Sequence, residues 1–156
     1  MKGDRKEEMS NSESASFQAD KYRLALSEQT NMWQAAAKGD IPALIGFLEK
    51  GADVNVVEGN LDTTPLLCAV SEGQIEAARF LIENGADLDV QDLFGSTPMM
   101  LAVMQSNTEM VTLLLEKGAD VTIKDFRDPP ETALEMAYKF EDETIIGLLR
   151  RAGANC

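Results

Sequence analysis

Apolar positions along this chain fall into two kinds of short run that alternate. The first is a compact block of small and aliphatic residues, as in Leu66-Leu67-Cys68-Ala69-Val70 and Met99-Met100-Leu101-Ala102-Val103. The second spreads its apolar residues at helical spacing, in "IPALIGFLEK", "QIEAARFLIEN", "NTEMVTLLLEK" and "DETIIGLLRR". Thr64-Pro65 and Thr97-Pro98 precede the compact blocks and are helix-start signals. A Thr hydroxyl accepts from a free backbone N–H, and Pro at the first helical position loses no donor the helix needs. Gly39 and Gly73 follow such blocks, where a left-handed residue ends a helix at least cost. The pattern predicts a short helix, a turn, a second helix, and then a polar connector such as "VQDLFGS" that reads as a hairpin-like excursion.

That unit recurs. "KGAD" stands at Lys50–Asp53 and Lys117–Asp120, "NGAD" at Asn84–Asp87, and a worn "AGAN" at Ala152–Asn155. The glycines Gly51, Gly85, Gly118 and Gly153 are spaced by 34, 33 and 35 residues, and 21 residues before each stands Thr30, Thr64, Thr97 or Thr132. One unit of this size cannot cover its own apolar face, whereas tandem copies cover one another.

"TPLLCAVSEGQIEAARFLIENGADLDVQD" and "TPMMLAVMQSNTEMVTLLLEKGADVTIKD" resemble the ankyrin repeat, with its Thr-Pro-Leu-His-x-Ala-Ala opening and Gly-Ala-Asp close. "TNMWQAAAKGDIPALIGFLEKGADVNV" and "TALEMAYKFEDETIIGLLRRAGANC" are similar but degenerate first and last copies. The resemblance implies an all-α repeat solenoid of four ankyrin-like helix–helix–hairpin repeats, about 30–62, 63–95, 96–130 and 131–156, slightly curved, with degenerate terminal caps. It also implies a non-catalytic module for binding other proteins. Trp33, Leu67, Met100 and Glu135 stand where the family has histidine, so the usual hydrogen bond between that residue and the Thr is expected to be missing. Ser106 and Glu141 stand where Gly39 and Gly73 end the first helix. Either they adopt a left-handed conformation at a cost of about 1 kcal/mol, or the turn rearranges.

Ahead of the repeats, residues 1–15 read as a disordered tail, and 16–29 as either a short helix capping the first repeat or a mobile partner-binding segment. The connector "IKDFRDPPET" is two residues longer than the one holding "VQDLFGS", and is either a tolerated insertion or a binding finger. No stretch is apolar over the length of a membrane span, and the opening has no signal-type core, so a cytoplasmic protein, monomeric when free, is expected.

Charge and composition narrow the function. The net charge is −13, of which residues 1–29, with five basic and six acidic residues, carry −1, leaving −12 for the repeats. Phosphate backbones would meet like charge, so direct nucleic-acid binding is not expected and a basic protein partner is. With no histidine, catalysis would rest on Cys, Lys, Tyr or carboxylates alone, and none is expected. Neither a cofactor nor a metal is implied. Cys68 and Cys156 lack metal spacing, and Cys68 reads as a small buried hydrophobe. "DLDVQD" at Asp87–Asp92 only faintly resembles a calcium loop, lacking its Gly and closing Glu, so Asp87 and Asp89 read as turn residues.

The resemblance places contact residues at the connector tips and on the exposed side of each first helix. Aligned on the threonines, the tips are Asn60-Leu61-Asp62-Thr63, Leu93-Phe94-Gly95-Ser96 and Asp128-Pro129-Pro130-Glu131. The helix positions are Ala37-Lys38, Ser71-Glu72, Met104-Gln105 and Lys139-Phe140. Leu61, Leu93, Phe94, Met104 and Phe140 are apolar for such places, and Asp62, Glu72, Asp92, Asp128 and Glu131 would rim them. The protein-binding residues expected are therefore Leu61, Asp62, Glu72, Leu93, Phe94, Met104, Gln105, Asp128 and Phe140. The competing reading folds Phe94 and Phe140 back over neighbouring repeats. Two other roles remain open, an acidic inhibitor or immunity-type protein that blocks the cleft of a basic enzyme, and a scaffold subunit of a larger complex.

Overall fold

In a computed structural model of the chain, residues 32–154 are described, apart from Glu58 and Asn60. The tail and capping segment expected over 1–29, like Thr30 and Cys156, lie outside the described residues. Within them the chain forms four pairs of helices. Residues 32–38 (α1) pair with Ile41–Glu49 (α2), Pro65–Ser71 (α3) with Ile75–Glu83 (α4), Pro98–Met104 (α5) with Thr108–Glu116 (α6), and Ala133–Lys139 (α7) with Glu143–Arg151 (α8). The short helices α3, α5 and α7 pack side by side in one layer, and α2, α4, α6 and α8 in a second.

Small residues set the spacing. Ala35, Ala69, Ala102 and Ala137 occupy equivalent places on the first helices and are buried, which lets neighbouring helix backbones approach closely. Between the layers Leu66, Leu81, Met99, Met110, Leu114 and Ile145 are also fully buried, in one continuous cluster. Cys68, expected to be buried, is only half-buried: it sits at the edge of that cluster, beside the Thr63 hydroxyl.

Thr64, Thr97 and Thr132 are the N-caps of α3, α5 and α7, each hydroxyl accepting from the amide three residues on at 3.3 Å. Asp40, Asn107 and Asp142 do the same for α2, α6 and α8. Gln74, at the start of α4, caps nothing of its own and instead donates to the Ala37 carbonyl of the preceding pair. Gln105 repeats that tie, donating to the Ser71 carbonyl at 2.7 Å.

Of the two outcomes open for Ser106 and Glu141, the left-handed one occurs: φ is +51° at Ser106 and +54° at Glu141, against +71° at Gly39 and +68° at Gly73. Each amide still closes the helix, Ser106 on Val103 and Glu141 on Tyr138, so turn geometry is kept at the expense of local strain. Ser106→Gly is expected to stabilise the protein by up to about 1 kcal/mol, the left-handed penalty less the added freedom of the unfolded chain. A urea midpoint that stays put or falls would contradict this.

The missing hydrogen bond at the histidine position needs correction in the last pair. Glu135 Oε2 accepts from Thr132 Oγ1 at 3.0 Å and from Thr132 N at 2.6 Å, completing a reciprocal capping box. A carboxylate is an acceptor only, so here the bond runs from the Thr132 hydroxyl to Glu135. These bonds, backbone first and then hydroxyl, hold the Glu135 carboxyl below its ordinary pKa. A lowered folded-state pKa stabilises above the unfolded value, and that contribution is lost as pH falls through the folded value. The advantage of the wild type over Glu135→Gln is thus expected to be full at neutral pH and to fade below the ordinary glutamate value of about 4.3. Thermal melts of both proteins at paired pH values check this; a constant gap would remove the carboxylate from the account.

The connectors are turns, not strand hairpins. Among the described residues there is no strand, and one antiparallel bridge joins Lys124 to Thr132. Asp53, Asp87 and Asp120 each accept the amide two residues on, as turn-forming aspartates do. Asn55 and Asp89 reach into the next unit, accepting from Asp87 N and Asp120 N.

Candidate functional site

Each connector ends beside the next. Leu93 N donates to Leu61 O at 3.4 Å, and Phe126 N donates to Phe94 O at 3.1 Å. Gln91 Nε2 adds a clamp, donating to Gly95 O and to Lys124 O. Asp92 Oδ1 accepts from Phe94 N and Ser96 N, and Asp125 Oδ1 accepts from Arg127 N and Glu131 N. The two aspartates do the same work, so Leu93 corresponds to Phe126 and Phe94 to Arg127.

That register corrects the expected last tip. Counting back from Thr132 put it at Asp128-Pro129-Pro130-Glu131, but the extra residues lie after the aligned part of the turn. Glu131 is not a rim acid. It is buried, its carboxylate held by Lys139 Nζ and lying 3.9 Å from Arg127 Nη1. Phe126, absent from the expected residues, stands at the tip and is 67% exposed. Gly95, with φ at +78°, leaves room for it: a Cβ there would come within 2.5 Å of Phe126 N and 2.7 Å of its ring. Aligning "QDLFGS" with "KDFRDPPE" on their aspartates would have found Phe126.

Of the expected contact residues, Leu61, Leu93 and Phe94 come together. With Thr63, Leu67, Ser71, Asp92 and Leu101 they line a cleft of about 200 Å³ between α3, α5 and two tips. Phe94 is 65% exposed and Phe140 52%, so neither folds back over a neighbouring repeat. Asp62, Glu72, Gln105 and Asp128 are exposed but do not line the cleft. Met104 is exposed beside it, its sulfur 3.9 Å from Arg127 Nη2. Phe140 lies outside the cleft, at the C-terminal end of α7.

Charge is uneven along this face. Asp62 and Glu72 make no ion pair with any described residue, and Asp92 is half-buried in the cleft wall. In the last connector two of the acids are matched: Arg127 Nε lies 2.8 Å from Asp125 Oδ2, and Glu131 takes Lys139. Asp62, Glu72 and Asp92 therefore leave unpaired negative charge near the cleft, while in the final connector Asp128 alone of its acids has no ion pair among the described residues. Among the described residues no cluster of three or more His, Cys, Asp or Glu could hold a metal ion, and no helix is long and apolar enough to cross a membrane.

The family model for ankyrin repeats matches residues 32–125. The chain belongs to the ankyrin-repeat family. Ankyrin repeats are generally protein–protein interaction modules, and the family is typically non-catalytic. The mouse (Mus musculus) 2-5A-dependent ribonuclease is 35% identical over 69 residues, 44% of this chain and 9% of that protein. The ankyrin repeat and KH domain-containing protein mask-1 of Caenorhabditis elegans is 51% identical over 53 residues, 33% of this chain and 2% of that protein. The fission yeast (Schizosaccharomyces pombe) ankyrin repeat-containing protein P1E11.10 is 32% identical over 65 residues, 42% of this chain and 31% of that protein. The chain thus spans less than a third of these curated relatives.

Proposed function

We propose that this ankyrin array binds a basic protein partner through its connector tips and the face formed by its first helices. The supporting observation is an apolar centre with an acidic edge, on a surface rigidly tied from unit to unit. Leu61, Leu93 and Phe94 are solvent-exposed and contiguous, beside Asp62 and Glu72, which lack cationic partners among the described residues. A buried apolar centre supplies affinity, while an exposed charged edge steers and selects the partner. Ordering costs are low because backbone bonds already fix the tips. Met104, Gln105, Asp128, Phe140 and Phe126 extend the surface along the array.

The expected result is that Phe94→Ala weakens a titrated complex by more than about 1 kcal/mol, as for interface anchors. The partner is first captured from the native source and identified. Association is expected to slow as salt is added, since screening removes the attraction between the acidic face and a basic surface. Affinity unchanged by Phe94→Ala, together with salt-insensitive association, would refute this reading.

A further inference from the structure

We propose that the cleft between α3 and α5 receives one large apolar side chain from an extended segment of the partner, with flanking Lys or Arg residues held by Asp62, Glu72 and Asp92. This rests on the protein-binding reading above and assigns the anchor and its chemistry.

Size comes first. At about 200 Å³ the cleft is smaller than the roughly 300–1,000 Å³ of small-molecule sites, which argues for a single side chain and not a metabolite or cofactor. The walls fix its character: Leu61, Leu67, Leu93, Phe94 and Leu101 present hydrocarbon, and among the described lining residues the only charged one is Asp92. An apolar wedge there loses water contact on several sides, which is how interface anchors contribute most of their binding energy.

Charge complementarity then fixes the neighbours of the anchor. Asp62 belongs to the tip on one side of the cleft, and Glu72 follows Ser71 at the end of α3. Neither carboxylate has an ion-pair partner among the described residues. The nearby cation, Arg127, is already matched by Asp125 and Glu131, so it does not offset them. An acidic segment would leave these carboxylates facing like charge, whereas a basic one gains from each. An extended occupant suits the site because successive side chains point to opposite sides, one inward and its neighbours outward to the rim.

Binding of fluorescent peptides to the full chain tests the proposal. The probe is Arg-Arg-Ser-Leu-Ser-Arg-Arg, compared with versions carrying Ala for Leu or Glu for every Arg. The leucine peptide is expected to bind at least about tenfold more tightly than either, a difference of about 1.4 kcal/mol. Ser71→Trp places an indole in the cleft from an exposed helix position and is expected to abolish the preference for leucine over alanine with the melting temperature kept. Asp62→Asn with Glu72→Gln is expected to remove most of the preference for arginine over glutamate peptides.

Equal binding of the leucine and alanine peptides to the unaltered chain would overturn the anchor. Equal binding of the arginine and glutamate peptides would overturn the charge assignment. If Phe94→Ala weakens the complex with the whole partner and Ser71→Trp does not, the cleft proposal falls while the tip surface stands. If neither weakens it, the protein-binding reading of this face falls as well.

Discussion

Leu114→Ala is expected to lower the unfolding free energy by about 3 kcal/mol, within the range for fully buried leucines cut to alanine. Leu114 sits in α6 with no solvent exposure, among Met110, Val111 and Leu113 of the same helix. That helix packs against α5 within its pair, and against α4 and α8 on either side. Leu114 belongs to the continuous cluster of buried side chains, so the surroundings can collapse into the vacated volume only in part. In a stacked array each unit is stabilised by its neighbours, so a loosened α6 also weakens its packing on the adjoining units. Urea denaturation followed by far-UV circular dichroism measures the loss. A change below about 1 kcal/mol would mean that α6 shifts to refill the space, and that the layers are less tightly keyed than their burial implies.

The second large effect lies in the last connector. Asp125→Ala is expected to destabilise by about 2 kcal/mol and to release Phe126 from its place against Gly95. The Asp125 side chain is fully buried; Oδ1 accepts the amides of Arg127 and Glu131, and Oδ2 lies 2.8 Å from Arg127 Nε. That last contact is a close ion pair whose N–H is not aligned as a hydrogen bond. Arg127 is nearly half exposed, so its Coulomb share is screened and the larger cost is the buried Glu131 amide left without an acceptor. Asp125→Asn keeps an acceptor and loses the charge, so it should cost clearly less than alanine. Equal losses for Asn and Ala would shift the explanation from the amides to the ion pair. Hydrogen exchange at Glu131 N provides an independent reading, with faster exchange expected in the alanine variant alone.

These two sites differ in how readily they are seen in the chain. Leu114 belongs to "NTEMVTLLLEK", whose spacing alone marks an inward helical face. Asp125 does not advertise its burial. An acid between Lys124 and Phe126 in a connector looks like any solvated turn residue, and only the closed loop over residues 125–131 encloses it. The misplacement of Glu131 has the same origin. Counting from Thr132 assumes that connectors align at their ends, whereas the extra residues lie inside the turn, between Arg127 and Glu131. Phe126 escaped notice for that reason, although Leu61, Leu93, Phe94, Met104 and Phe140 were all recognisable as apolar residues at outward positions and are exposed.

Glu135 and Thr132 illustrate a further limit. Substitution at a family position suggests a lost hydrogen bond, yet the carboxylate accepts from the same threonine with which the pattern expected a histidine to bond. Residue type names the donors and acceptors available; the helix start decides which ones meet.

The chain by itself determined the helix pairs, their caps and their tandem stacking, because these follow from signals only a few residues long: a Thr before a helix, a Gly or a strained stand-in after it, and apolar spacing between. Only the tertiary structure decided which connector residues meet. The ties between units join groups 30 to 37 residues apart, as from Asn55 to Gly85 and from Gln74 to Ala37. Their register depends on how each turn absorbs its own length. Local propensity has no information about that distance, whereas the packed layers leave each connector one place to lie.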